Sequence, residues 1–244
     1  MMPKFTIITV CYNSEKTIAR TIESVLNQKC EDYEYIIVDG CSRDSTIEII
    51  KSYEERFNGR MRWVSERDSG IYDAMNKGIS LAQGTYVGLL NSDDWYYPNT
   101  LERVAVEVSS GCDVLYGLLE VYRQHEPQRV YANHPSYLVH ESLAHPSSFV
   151  LREAYHQFGL YSQDYQSASD YDFFLRLYRS NASFKYINHI LAGFLTGGVS
   201  SSHKGFYETL KIKRRYGLIS ARQYCQRKVV RKFKVLMMKI LRLS

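Results

Sequence analysis

Short apolar runs alternate with segments of helical periodicity along the first hundred residues. The apolar runs predict four buried strands, at residues 5–11, 35–38, 61–65 and 85–90. In the segments between them, apolar residues recur every three or four positions, which predicts helices. Strands that alternate with helices form βαβ units around a mainly parallel sheet. This part of the chain therefore predicts an α/β fold with a Rossmann-like central sheet, flanked by helices on both faces.

The pattern loosens after Cys112. Extended segments are predicted at 114–122, 129–132, 147–151, 184–187 and 190–195, a helix at 170–178 and a loop at 196–202. No internal repeat and no linker rich in Pro or Ser divides the chain. We therefore predict one α/β domain over residues 1–202, followed by a helical tail over residues 203–244.

The charge of the chain is divided unevenly. Residues 203–244 hold thirteen Lys and Arg against one acid, Glu208, so this segment carries a net charge of +12. Since the whole chain carries +5, the first 202 residues carry −7. A basic tail on an acidic body indicates an anionic partner for the tail, either a membrane or a nucleic acid.

Carboxylates gather at the predicted strand ends and helix starts. They form four groups: Asp39, Glu66 with Asp68, Asp93 with Asp94, and Asp170. Because the carboxyl ends of parallel strands meet at one edge of a sheet, the first three groups are expected to converge. A divalent cation would relieve their repulsion, and carboxylates beside a substrate diphosphate suit Mg²⁺ or Mn²⁺. The alternative is a plain turn, in which the Asp pair precedes a helix that opens at Tyr97-Pro98.

Four longer motifs stand in fixed order along the chain. They are Thr9-Val10-Cys11-Tyr12-Asn13-Ser14, the segment 38–46 (VDGCSRDST), the segment 65–78 (SERDSGIYDAMNKG) and Asn91-Ser92-Asp93-Asp94. Together they resemble the bacterial family 2 glycosyltransferases of the GT-A fold, over roughly residues 4–200. The third motif is similar to a subgroup that builds O-antigen, capsule and colanic-acid type repeat units on lipid carriers. Residues 1–202 would then be the catalytic domain.

The resemblance implies an enzyme that moves a hexose from a UDP-sugar, of UDP-Glc or UDP-Gal type, to a hydroxyl of a polyprenyl-diphosphate-linked saccharide. By matching position, Tyr12 and Asp39 would hold the uracil. Asp93 would take a ribose hydroxyl, and Asp94 would bind Mn²⁺ or Mg²⁺. Asp68 would lie near the donor.

The segment 168–176 (ASDYDFFLR) resembles the part of the family that carries the catalytic base. Transfer with inversion needs a carboxylate that takes the proton of the acceptor hydroxyl, and Asp170 lies at the predicted first turn of a helix. Asp172 points about 200° around that helix, which predicts a different role for it. The alternative is that Asp170 only caps the helix.

Two departures from the family pattern leave contacts to be supplied elsewhere. Asn91 stands where the motif Asp-x-Asp usually begins, so no metal contact is assigned to it. Met75 stands where many relatives have Arg, so a phosphate contact would come from Lys77 or from the region of His203. Four further residues are expected on the acceptor or diphosphate side of the site: Glu66, Lys77, His145 and His203. For His145 a structural role is the alternative.

The segment 222–243 has the pattern of a basic amphipathic helix. Its apolar stripe is Val229, Phe233, Leu236, Met237 and Ile240, with most Lys and Arg on the other faces. Such a helix lies on an anionic membrane surface, which predicts a cytoplasmic protein bound peripherally to the inner face of the cytoplasmic membrane. The five cysteines are odd in number and form no C-x-x-C pair, which also favours the cytosol. The alternatives are packing on the protein's own domain or on a homodimer partner, and we expect no nucleic-acid binding.

Other classes of protein compete with the glycosyltransferase interpretation. A nucleotidyltransferase would usually carry a glycine-rich basic loop after the first strand, where this chain has Cys11-Tyr12-Asn13-Ser14. A module that only binds nucleotide sugars would not need Asp170. A dehydrogenase is excluded, because no G-x-G-x-x-G motif follows a strand.

Overall fold

The structure is a computed structural model that describes residues 2–197 and 203–241, without the side chains of 203, 234–236 and 238–241. Its strands are β1 (Phe5–Cys11), β2 (Tyr33–Asp39), β3 (Met61–Ser65), β4 (Tyr86–Leu89), β5 (Trp95–Tyr96), β6 (Val114–Arg123), β7 (Glu126–Tyr131), β8 (Ser148–Leu151) and β9 (Phe184–Leu195). Its helices are α1 (Ile18–Leu26), α2 (Thr46–Glu54), α3 (Ile71–Leu81), α4 (Thr100–Glu107), α5 (Arg152–Phe158), α6 (Ser169–Arg179), α7 (His203–Arg215) and α8 (Ala221–Leu241).

The described strands form one sheet in the order β3-β2-β1-β4-β8-β6-β9-β5, with β7 paired to β6. The first four strands of this order run parallel, as the alternating pattern predicts. β8 then lies antiparallel to both β4 and β6, while β6 and β9 are parallel. The segment between β7 and β8 contains no α-helix. None is needed, because antiparallel neighbours do not require a helical crossover. The predicted α/β fold with a flanked central sheet is confirmed, with a mixed second half.

Helices cover both faces of the sheet, which explains the apolar character of its strands. Alternate residues of β1 point to opposite faces. Ile8 and Val10 belong to one core cluster, with side chains of α3 and α6. Ile7 belongs to the other, with side chains of α1, α2 and α4. At Gly78 of α3 a Cβ atom would lie 2.5 Å from Cγ2 of Ile8, so the glycine lets this helix pack closely on β1.

Most predicted elements are present with small shifts of their ends. The predicted strands at 184–187 and 190–195 form the single strand β9, and the predicted hairpin partner of β6 is β7. α5 and β5 were not predicted, because seven and two residues are too short to show a period. Of the predicted loop at 196–202, residues 198–202 lie outside the described part of the chain.

The segment from residue 203 onward has two structural roles. Ile212 and Leu210 of α7 are buried, and Ile212 lies in the core cluster that contains Phe173. By contrast, Val229 and Phe233 of α8 are 65% and 62% exposed. α7 thus packs as part of the α/β domain, and the exposed apolar stripe belongs to α8. None of the described helices is both long enough and apolar enough to span a membrane.

Candidate active site

A cleft of about 950 Å³ lies at the carboxyl ends of β1 and β4. It is lined by Tyr12, Asp68, Asp93, His145 and Asp170, among others. These side chains come from segments far apart in the sequence. Of the three acidic groups predicted to converge, two reach the cleft, through Asp68 and Asp93, and Asp170 lines it as well. Other predicted site residues, all within the described part of the chain, lie outside the lining: Asp39, Glu66, Lys77 and Asp94.

Asp39 lies buried behind the cleft wall, with its carboxylate bonded to protein groups. Its Oδ2 accepts the backbone N–H of Ser42 at 3.0 Å and the hydroxyl of Ser65 at 2.7 Å. Its Oδ1 accepts the Ser42 hydroxyl and lies 3.6 Å from the thiol sulfur of Cys11. Burial and the charge of Asp39 raise the pKa of the Cys11 thiol, which therefore stays protonated. A ligand N–H that binds Asp39 would replace one of these donors, for example the Ser42 hydroxyl.

Tyr12 and Asp68 meet over Gly40, next to Asp39. A Cβ atom at Gly40 would lie 2.5 Å from Oδ2 of Asp68 and 3.4 Å from Cδ2 of Tyr12, so the glycine makes room for both side chains. Tyr12 is 59% exposed, which leaves its ring free to stack on a planar group. Asp68 is held by the backbone N–H of Gly70, which donates to its Oδ1 at 3.0 Å.

Two side chains of α1 hold the backbone of the turn after β4. Arg20 donates to the backbone carbonyl of Asp93 at 2.7 Å, and Thr21 donates to that of Asp94 at 2.6 Å. With the backbone held in this way, the Asp93 side chain lines the cleft and the Asp94 side chain is 0% exposed. Of the pair, Asp93 therefore lines the cleft in this structure, whereas the carboxylate of Asp94, which was predicted to bind the metal, lies behind it.

Burial raises the pKa of both carboxyl groups. Burial raises the pKa of Asp93, and the nearby charges of His145 and Arg20 act in the opposite direction. The pKa of Asp94 lies well above its usual range because of burial and the charge of Asp93. The Leu195 N–H donates to Oδ1 of Asp94 at 3.2 Å, and its Oδ2 is buried with no hydrogen-bond partner among the described atoms. Asp94 thus ties the turn to β9.

The donor set in the cleft fits a cation that also binds a substrate. Among the described residues, no three His, Cys, Asp or Glu side chains are grouped closely enough to hold a metal ion. Asp93 offers one carboxylate, and Oδ1 of Asn91 is buried without a hydrogen-bond partner in the described structure. Mg²⁺ and Mn²⁺ are commonly bound by one or two protein oxygens together with phosphate oxygens. These residues suit that arrangement, since the other ligands can come from a diphosphate.

Asp170 lies at the first turn of α6 with several groups around its carboxylate. Tyr72 donates its hydroxyl to Oδ1 at 3.0 Å, and the Ser142 hydroxyl lies 3.5 Å from Oδ2. Burial and the charge of Asp170 hold the pKa of Tyr72 well above its usual range, so the phenol stays protonated as a donor. The Asp170 side chain keeps 21% of its surface exposed. Asp172 is buried, in agreement with the different role predicted for it.

His145 lies between the Asp93 turn and Asp170. Its Nε2 is 3.1 Å from the side-chain nitrogen of Asn91, and its Nδ1 is 3.7 Å from Oδ2 of Asp170. When Asn91 donates to Nε2, the ring proton resides on Nδ1 and faces Asp170. The structure thus places His145 inside the cleft, beside both the motif after β4 and the carboxylate of α6.

Glu66 and Lys77, predicted on the acceptor or diphosphate side of the site, form an ion pair at the edge of the cleft. The Lys77 ammonium lies 3.1 Å from Glu66 and 3.6 Å from Asp73, and it donates to the carbonyl of Arg67 at 2.6 Å. Lys77 reaches Asp73 because it follows that residue by one helical turn. In this structure Glu66 and Lys77 bind each other and do not line the cleft. His203 begins α7, and its side chain lies outside the described part of the structure.

Some residues of the site were not predicted from the sequence. Tyr72 lies within a motif that was singled out, but its contact with Asp170 spans 98 residues. Ser142 and Arg20 belong to no motif, and nothing in their local sequence points to the contacts they make. Contacts of this kind become visible only when the fold brings the segments together.

Comparison with known proteins identifies the family and two relatives. The chain matches the model of glycosyl transferase family 2 over residues 6–186. It is 29% identical over 223 residues to the PGL/p-HBAD biosynthesis glycosyltransferase of Mycobacterium bovis (strain BCG / Pasteur 1173P2), covering 88% of this chain and 87% of that protein. It is also 29% identical over 211 residues to the chondroitin synthase of Escherichia coli, covering 83% of this chain and 30% of that protein.

A solved structure shares the fold. The Staphylococcus aureus TarS fragment 1–349, solved in complex with UDP-GlcNAc, superposes with a TM-score of 0.71 at 21% sequence identity. The match covers 86% of this chain, which spans 65% of the TarS fragment. The same fragment has also been solved in complex with UDP.

Proposed function

The chain belongs to glycosyl transferase family 2, and on this premise we propose that it transfers a hexose from a UDP-sugar to a hydroxyl of a lipid-linked saccharide, with inversion at the anomeric carbon. The observation that carries the proposal is that Asp93 and Asp170 line the same cleft. One relative acts in PGL/p-HBAD biosynthesis and another is a chondroitin synthase, which supports a role in the synthesis of cell-surface saccharides such as O-antigen or capsule.

The donor would bind along the carboxyl ends of β1 and β2. Tyr12 offers an exposed ring to the uracil, and Asp39 would accept a ring N–H once the Ser42 hydroxyl turns aside. Asp68, on the other side of Gly40, would accept a hydroxyl of the ribose or the sugar. The complexes of TarS with UDP-GlcNAc and with UDP support a donor of the UDP-sugar class.

Asp93 would hold Mn²⁺ or Mg²⁺ together with the diphosphate oxygens of the donor, with the carbonyl oxygen of Asn91 close by. When bound, the cation stabilises the negative charge that builds on the departing diphosphate. Arg20 contributes by fixing the backbone at Asp93, so the carboxylate is held in position before the donor arrives.

Asp170 would act as the general base on the acceptor side. As the acceptor oxygen attacks the anomeric carbon, its O–H proton passes to the Asp170 carboxylate and the bond from the sugar to the diphosphate breaks. UDP leaves, and the new glycosidic bond has the opposite anomeric configuration. Tyr72 fixes one carboxylate oxygen by its hydrogen bond, which keeps the base oriented towards the cleft.

A two-step experiment tests the proposal. A thermal-shift screen would compare UDP-Glc, UDP-Gal, UDP-GlcNAc, UDP-GalNAc and GDP-mannose, each with Mn²⁺ and with EDTA. The donor that stabilises most would then be incubated with octyl glycosides, and proton NMR would give the anomeric configuration of the product. We expect stabilisation by a UDP-sugar and an inverted product. Stabilisation by none of the UDP-sugars, or a retained configuration, would contradict the proposal.

We also propose that α8 attaches the enzyme to an anionic membrane leaflet. Its exposed apolar residues Val229, Phe233 and Met237 recur every four positions and therefore share one face. Arg227 and Lys232 are exposed on the same helix, which suits contact with lipid head groups. Each basic residue near such a surface contributes about 1 kcal/mol at most, and salt weakens this contribution. Attachment would bring the cleft to an acceptor carried by a polyprenyl lipid.

A protein that ends after Ser220 should lose binding to vesicles containing anionic lipid. The truncation removes α8 and leaves the buried side chains of α7, so the domain should still fold. The double variant Val229→Ser, Phe233→Ser should also bind weakly, whereas Val106→Ser, at a 74% exposed position on α4, should bind like the parent. Vesicle co-sedimentation at low and high salt would measure this. Equal binding by the truncated and full chains would show that α8 does not attach the enzyme.

A further inference from the structure

Glu208 of α7 holds the loop that precedes the helix carrying Asp170. It is the single acid among the thirteen basic residues of the segment 203–244. Its Oε1 accepts the backbone N–H of Gln166 at 3.0 Å, and its Oε2 accepts the N–H of Ser167 at 2.8 Å. Hydrogen bonds to a charged group are stronger than neutral ones, and here both oxygens are used. The lone acid of this basic segment therefore points into the domain.

α7 is itself firmly attached to the domain. Ile212 is fully buried in the core, and the ammonium of Lys211 lies over the ring of Tyr165 at 5.5 Å. One turn before Glu208, Lys204 donates to the side-chain oxygen of Gln166 at 2.9 Å. Glu208 and Lys204 thus bind the same loop from one face of α7, since residues four apart on a helix are neighbours.

The loop in question forms part of the wall of the cleft. Gln166 and Ser167 both line it, as does Asp170 three residues further on. Between them, Ala168 is the N-cap residue of α6, and its carbonyl accepts the N–H of Asp172. A shift of the backbone at Gln166 and Ser167 would therefore move the first turn of α6, and Asp170 with it.

We propose that Glu208 is a positioning residue for the acceptor side of the cleft: by binding two consecutive backbone N–H groups, it fixes the loop 166–167 and the orientation of Asp170. The inference rests on the proposed function, because it takes Asp170 as the base. Through this contact, α7 contributes to the geometry of the active site. Since misplacement of a reacting group by about 1 Å can cost on the order of 10²-fold in rate, loosening this loop should lower transfer strongly.

Amide hydrogen exchange tests the contact without any substrate. In Glu208→Ala, the amides of Gln166 and Ser167 lose their acceptors, so we expect their exchange to become at least tenfold faster than in the parent. Glu34→Ala is the matched control, because Glu34 also accepts a loop N–H, from Gln83 at 2.6 Å, and does not line the cleft. Exchange at Gln166 and Ser167 that is unchanged in Glu208→Ala would overturn the inference.

Kinetics test the consequence, with the UDP-sugar and octyl glycoside that the parent enzyme uses. We expect Glu208→Ala to lower kcat by at least tenfold and raise the KM of the octyl glycoside, with UDP binding within twofold of the parent. Glu208→Gln keeps one acceptor oxygen and should be intermediate. Glu34→Ala should lower the melting temperature without this kinetic change. A parent that turns over no UDP-sugar would count against the proposed function, whereas parent-like kinetics in Glu208→Ala would overturn this inference alone.

Discussion

Replacing Asp170 by Asn is expected to abolish sugar transfer while leaving UDP binding near that of the parent enzyme. The amide has almost the shape of the carboxylate and can still accept the Tyr72 hydroxyl, so the surroundings should be preserved. It cannot take a proton from the acceptor, and loss of a general base typically costs about 10²- to 10⁴-fold in rate. Release of UDP with an octyl glycoside as acceptor measures transfer, and the thermal shift with UDP measures binding.

Two variants serve as controls for the Asp170 experiment. Asp172→Asn changes a buried carboxylate on the same helix that does not line the cleft, so it should change stability more than the rate of transfer. Asp39→Ala should show the reverse of Asp170→Asn, with weaker UDP binding as its main effect. If Asp170→Asn retains most of the parent activity, another group acts as the base.

The parallel half of the fold was predictable because each of its strands and helices is indicated by the local sequence. Phe5–Cys11 and Met61–Ser65 were predicted with the ends that the structure has, since an apolar run bounded by turn residues depends only on its neighbours. The second half depends on pairings between distant segments. β8, for example, lies antiparallel between β4 and β6, and its four residues contain no signal for that position.

The site was predictable as a set of residues and much less as a geometry. Matching motifs correctly selected Tyr12, Asp93 and Asp170 as residues that share a cleft. The motifs do not indicate which member of the Asp pair faces the cleft, because this depends on the hydrogen bonds from α1 to the backbone of the turn. The pairing of Lys77 with Glu66 was missed because Glu66 lies in the loop before α3, so helical spacing does not join the two residues.

The net charge of residues 203–244 does not indicate how α7 packs. The net charge of +12 over residues 203–244 suggested one exposed helical unit. In the structure, α7 buries Ile212 and directs Glu208 inward, while its basic side chains remain at the surface or lie over aromatic rings. Counting charges cannot separate these two roles, because long basic side chains can cover apolar surface and still reach solvent.

The two acids of the turn after β4 should behave differently when they are changed one at a time. Asp93→Asn is expected to remove most of the metal-dependent part of UDP binding, because Asp93 is the member of the pair that lines the cleft. Asp94→Asn should keep that part, because its side chain is fully buried and the amide oxygen can still accept the N–H of Leu195. Because burial already disfavours the charged form of Asp94, replacing it by the neutral amide should change the stability of the free protein little.

Thermal stabilisation by UDP with Mn²⁺, compared with UDP and EDTA, gives the measurement. A ligand present at one hundred times its Kd stabilises the folded state by about 2.7 kcal/mol, and a hundredfold weaker affinity at the same concentration reduces this to about 0.4 kcal/mol. We expect the lower value for Asp93→Asn and the higher value for Asp94→Asn. The opposite pattern would restore Asp94 as the metal ligand and would mean that the turn rearranges when the donor binds. Equal stabilisation of the parent with Mn²⁺ and with EDTA would instead show that neither acid binds a cation, and Asp93 would then contact the donor directly.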